Sequence, residues 1–129
     1  MPTPKTAILH YTAPPVVGGV EAVILAHVQL LAQAGYPVTV IAGRGSPAAL
    51  PEEAHLIQIP EIDSQHPRVA AIATQLEAGQ APSDLEVLSQ YLVAGLTPLL
   101  EDVDNLMVHN VFTKHFNLPL TIALHALLE

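Results

Sequence analysis

"HYTAPPVVGGVEAVILAHVQLLAQAGYPVTVIAG", residues 10–43, is the stretch on which the fold turns. It leaves an apolar run, crosses two prolines and two glycines, becomes a long apolar helix pattern and ends in β-branched residues. The run it leaves, Thr6 to Tyr11 ("TAILHY"), is short, apolar and bounded by polar residues and prolines, which predicts a strand buried on both faces. From Val20 the apolar positions Val20, Val23, Ile24, Val28 and Leu31 recur at helical spacing, and Leu25 and Leu30 widen the stripe. Gly35 suits the left-handed cap that ends such a helix. Pro37 to Ala42 ("PVTVIA") then reads as a second strand.

Outward from this unit the same order repeats. His55 to Ile59 ("HLIQI"), bracketed by Pro51 and Pro60, predicts a third strand. Residues 61–82 combine a polar loop with the helix pattern "PRVAAIATQLEAG", in which Pro67 suits a first turn and Gly79 an end. The next helix is expected to start at Ser83, with Glu86 completing a capping box, and to run toward Leu100 with a break or kink at Gly95 and Pro98. Asp104 to His109 ("DNLMVH") predicts a fourth strand. Asn117 to Glu129 predicts a closing helix, with Asn117 as N-cap and Pro119 in its first turn. Strands alternating with helices imply an α/β, Rossmann-like, largely parallel open sheet flanked by helices, in one domain over residues 1–129.

Composition narrows the function. The chain of 129 residues is 50% hydrophobic, with mean hydropathy +0.42, enough for a buried core. Four Lys plus Arg stand against twelve Asp plus Glu, a formal charge of -8, which excludes the electrostatic footprint of a nucleic-acid binder. With no cysteine there is no disulfide, thiolate zinc site or Cys nucleophile, and a reducing cytoplasm is the expected location. No signal peptide is expected from Met1 to Leu9, and no run of eighteen apolar residues predicts a membrane span.

Ligands of an open parallel sheet bind beyond the carboxyl ends of its strands. The residues there are Pro14, Pro15, Gly18 and Gly19 after the first strand, Gly43, Arg44 and Gly45 after the second, and His109 and Asn110 after the fourth. Gly18 and Gly19 precede a helix end with unpaired amides and a positive dipole, so they either admit a phosphate or hydroxyl or only make a tight strand-to-helix turn. Seven histidines, His10, His27, His55, His66, His109, His115 and His125, contain no HExxH and no i, i+4 pair, so no metal site is expected. His10, late in the first strand, is a secondary ligand candidate beside a buried core role. Ser46 and Ser83 lack a nucleophile-elbow context.

"GGVEAVILAHVQLLAQAGYPVTVIAG" resembles the N-terminal signature of GT-B glycosyltransferases of the family-4 type, and "VHNVFTKHFNLPLTIALH", residues 108–125, resembles the "HN" strand end and helix of the same domain. The resemblance implies the acceptor-side, N-terminal half of a GT-B fold, incomplete here, with the donor-binding C-terminal domain absent. It implies a retaining, metal-independent transfer of sugar from a nucleotide-sugar donor to an acceptor hydroxyl, the donor being bound by the full-length enzyme. Gly18, Gly19, His109 and Asn110 match its substrate-binding positions, and Glu21 matches the acid at the helix start, where the dipole favours a carboxylate in any case. The family's donor-site segment and the histidine on the following strand are not represented, so this chain is not expected to complete a transfer alone. The acceptor would be a sugar, glycan or lipid, the last with peripheral contact at the inner membrane surface. Self-association through apolar surface left by the missing domain is also expected.

Two other classes compete. Arg44 after the second strand could read the 2′-phosphate of NADP, but Gly-x-Gly-x-x-Gly is not formed after the first strand, where Gly18 and Gly19 lead into Val20, Glu21, Ala22 and Val23. The other alternative is a noncatalytic binding or interaction domain, or a gene remnant.

Overall fold

A computed structural model describes residues 3–114 and 116–129. Its elements are β1 Thr6–Thr12, α1 Gly19–Gln33, β2 Val38–Arg44, β3 His55–Gln58, α2 Pro67–Glu77, α3 Ser83–Leu100, β4 Asn105–Val108 and α4 Leu118–Leu128. The strands pair in parallel in the order β3-β2-β1-β4, so the chain is a small four-stranded Rossmannoid α/β domain. Among the described residues no helix is long and apolar enough to cross a membrane.

β1 is buried along all seven residues because strands flank it on both sides and helices cover both faces. Ala7, Leu9 and Tyr11 join a cluster with Ile72 of α2, Leu88, Leu92 and Leu96 of α3, and Leu120 and Leu124 of α4. Ile8 points the other way, to Val40 and Ala42 of β2 and to Ile24 and Val28 of α1. The buried stripe of α1 is narrower than its sequence suggests. Val20, Leu25 and Leu31 are partly buried, whereas Val23 and Leu30 face solvent, since one helix alone covers this face and only one side of it meets the sheet.

Helix ends follow local chemistry. Gly35, at φ +82°, donates its amide to Ala32 O while the Tyr36 amide bonds Leu31 O, and Gly79 and Gln80 repeat the pattern on Leu76 and Gln75. Asn117 caps α4, accepting at Oδ1 from the Leu120 amide at 3.1 Å. The capping box expected at Ser83 does not form: Ser83 is already the first helical residue after Pro82, and Glu86 accepts from Gln90 Nε2 instead. Nor does α3 break at Gly95 or Pro98. Leu92 and Leu96 lie fully buried before Pro98, and Leu99 and Leu100 pack partly buried after it, so tertiary packing holds the helix through a residue that lacks an amide proton. β1 and β2 run further than expected, and Gly43 and Arg44 end β2 rather than following it, Arg44 pairing with Thr12.

Candidate functional site

At the carboxyl edge of the sheet, beside the point where the chain leaves β1 toward β2 on one side and β4 on the other, lies a cleft of about 300 Å³. His10 and Thr12 of β1, Gly19 and Glu21 of α1, Arg44 of β2, Asp63 after β3, and Asn110 and Phe116 after β4 line it.

Glu21 is its most unusual member, a buried carboxylate in the first turn of α1. Thr12 Oγ1 donates to Glu21 Oε2 at 2.5 Å, and His10 Nδ1 lies 3.5 Å from the same oxygen. A Cβ on Gly18 would collide with Glu21 Oε1, while the space over Gly19 is open. The two glycines therefore differ in what they do. Gly18 makes room for the protein's own carboxylate, and Gly19 leaves the start of the helix uncovered. His10 Nδ1 stands 2.8 Å from Thr12 O, so this carbonyl accepts from an Nδ1–H.

Arg44 Nε lies 3.3 Å from Asp63 Oδ2, with Arg44 about half exposed and Asp63 nearly buried. Asp63 Oδ1 also accepts from the Gln65 amide at 3.0 Å. The segment that carries Asp63 crosses β2 at Gly43, where a Cβ would strike the Asp63 backbone nitrogen. Asn117 ties the same segment to α4 by donating Nδ2 to Glu61 O at 2.9 Å and Ile62 O at 3.0 Å. Asn110 adopts φ +64°, and its carbonyl accepts the Thr113 and Lys114 amides, which turns the chain sharply after β4.

Of the residues the sequence singles out, the fold thus brings His10, Gly19, Glu21, Arg44 and Asn110 to one cleft. Gly18 borders a neighbouring apolar recess with Pro14 and Pro15. His109 lies behind His10, the rings edge to face at 6.4 Å, and 6.5 Å from the ring of His27 on α1. Its Nε2 and His27 Nδ1 are buried without a partner among the described residues. Burial, followed by the neighbouring His10 and His27 rings, pushes the His109 pKa below its ordinary value.

Sequence reasoning missed Thr12, Asp63 and Phe116. Gly43 inside a β-branched strand was a usable signal for the close approach of Asp63, whereas nothing local marks Phe116. It also passed over "GRGSPA", residues 43–48, which has the looser spacing Gly-x-Gly-x-x-Ala. Only a three-residue 3-10 turn, Pro47–Ala49, follows it, and Gly43 and Gly45 pack against Asp63 and Ala13, so no phosphate cradle forms there. Among the described residues no group of three His, Asp or Glu side chains could hold a metal, and His115 lies outside them. His66 caps α2 instead, accepting from the Arg68 amide at 3.1 Å.

Compared with family models, curated proteins and solved structures, the chain matches none. The fold is a generic Rossmannoid ligand-binding arrangement, and any finer function rests on the cleft and the motifs quoted above.

Proposed function

We propose that the cleft binds a polyhydroxylated, sugar-like ligand and forms the acceptor side of a glycosyl transfer. One observation carries this reading: the lining holds the two carboxylates Glu21 and Asp63 against the single guanidinium of Arg44, which Asp63 already engages. Hydroxyl groups donate to carboxylates, while a phosphate would meet uncompensated negative charge. The same pairing counts against a dinucleotide, since an arginine held by Asp63 is not free for a 2′-phosphate. In the proposed complex Glu21 accepts a ligand hydroxyl beside Thr12, Asn110 contributes both a donor and an acceptor, and His10, which also lines the cleft, would hydrogen-bond a ligand hydroxyl. The nucleotide-sugar donor would be held by a second domain, as the family-4 resemblance implies, with Gly19 facing it.

The test is titration of the isotope-labelled protein with methyl glycosides, and separately with NADP and UDP, following amide shifts. Saturable glycoside shifts at Thr12, Gly19 and Asn110, weakened about tenfold or more in Glu21→Gln, are expected, because a hydrogen bond to a charged group is lost. Shifts produced only by the nucleotides would overturn the proposal.

A further inference from the structure

Phe116 is more than half exposed and forms a wall of two cavities at once. On one side is the polar cleft. On the other is a groove of about 270 Å³ between α2 and the start of α4, floored by Val69 and Ile72 and walled by Leu76, Leu118 and Pro119. The Tyr11 ring stands behind Phe116 at 6.1 Å, and Val69 and Ile72 belong to the close-packed core, so the shared wall and the floor are braced from within.

We infer that the ligand of the cleft is an amphiphile, its hydroxylated head against Glu21 and Asn110 and a short alkyl or isoprenoid chain laid over Phe116 into the α2–α4 groove. This rests on the hydroxyl-binding reading given above and deepens it. Three features select the occupant. Each cavity alone lies at or below the lower end of ligand pockets, roughly 300 Å³, and the two joined across Phe116 suit one two-part ligand. A peptide would bring backbone N–H and C=O groups into a groove whose lining side chains, among the described residues, are apolar except Glu77, leaving them unsatisfied, while a hydrocarbon chain has no such groups. Glu77 also repels a fatty-acid carboxylate, so the polar end belongs at the cleft rather than in the groove.

The test uses methyl, hexyl and octyl β-glycosides carrying glucose, galactose or mannose, below their micelle concentrations, with binding read by amide shifts of the labelled protein. With at least one head group, shifts are expected at Thr12 and Asn110 for all three chain lengths, and at Ile72, Leu76 and Phe116 for hexyl and octyl. Affinity should rise with each methylene by up to about fourfold until the groove is filled. Phe116→Ala, at an exposed ring, and Ala73→Gln, which fills the groove from α2, should each flatten that dependence so that octyl binds little better than methyl. Methyl glycosides that bind the cleft with no gain from a longer chain would overturn the amphiphile and leave the hydroxyl-binding reading standing. Octyl glycosides that shift the groove alone, with no head group felt at Thr12 or Asn110, would overturn both. Groove shifts that follow protein concentration without added ligand would assign the groove to a second copy of the chain and overturn the inference.

Discussion

On one face of the sheet α2, α3 and α4 converge on a single cluster of Leu9, Ile41, Leu88, Leu92, Leu96, Leu120 and Leu124, while on the other α1 alone covers Ile8, Val40 and Ala42 with Ile24 and Val28. The first face is mainly hydrocarbon, and its buried polar side chains, Ser89 and Asn117, have their hydrogen bonds made. The second carries Glu21, His10, His27 and His109 toward its carboxyl end, packed against one another. Burying such groups is costly and leaves little tolerance, so the thick face supplies stability that the thin face can spend on chemistry.

The largest expected contrast comes from matched truncations. Leu92→Ala should cost near the upper end of about 2–5 kcal/mol, because three helices and the sheet fix the cavity walls, and Ile24→Ala near the lower end, because α1 alone can settle inward. Urea midpoints of the two variants measure this, and equal losses would break the comparison. Next, Asn117→Ala removes a cap and two bonds to the Asp63 segment and should cost at least about 1–2 kcal/mol, with accompanying amide shifts near Asp63.

Acid should then act on the thin face. His109 has its folded pKa below the unfolded value near 6.5, so its neutral form is the one the fold accommodates. The resulting stability is present in full above about pH 6.5 and is lost as pH falls through that value toward the folded pKa, where the unfolded chain binds the extra proton. His109→Gln should flatten the dependence of the urea midpoint on pH between neutrality and pH 5, and an unchanged slope would show that this imidazole does not carry it. The smallest effect belongs to the rim of the thick face. Arg68 binds Asp84 with Nε at 2.8 Å and Nη2 at 2.5 Å, yet both side chains remain a third or more exposed, so Asp84→Asn should scarcely move the midpoint at moderate salt.

Periodicity and punctuation made the scaffold legible. The "TAILHY" run, the glycines at 35 and 79 and the cap at Asn117 all depend on neighbours within a few positions, and each lies where such local rules put it. The capping box failed because α3 already includes Ser83, with Pro82 at the cap, and no break came at Gly95 or Pro98 because buried leucines outvoted local preference. The cleft was half legible for the same reason. His10, Glu21, Arg44 and Asn110 sit just before or after strand ends and helix starts that sequence can locate, whereas Thr12 lay beyond the expected end of its strand and Asp63 arrives through a fold-over at Gly43. His109 sits at a strand end too, but its neighbours are rings from two other elements, and no spacing in the chain reveals that.

The register of the sheet also has a consequence in time. β1, β2 and β3 can pair among the first 58 residues, but β4 joins β1 through Thr6 and Asn105, with the Lys5 amide bonded to Asp104 across 99 positions of chain. So long a loop pays its closure entropy before its contacts return anything, which makes that pairing a late event in folding. Glu21 and His10 stand on the early part, and Asn110 and Phe116 arrive with the late one, so the cleft comes into existence only at the final step of assembly.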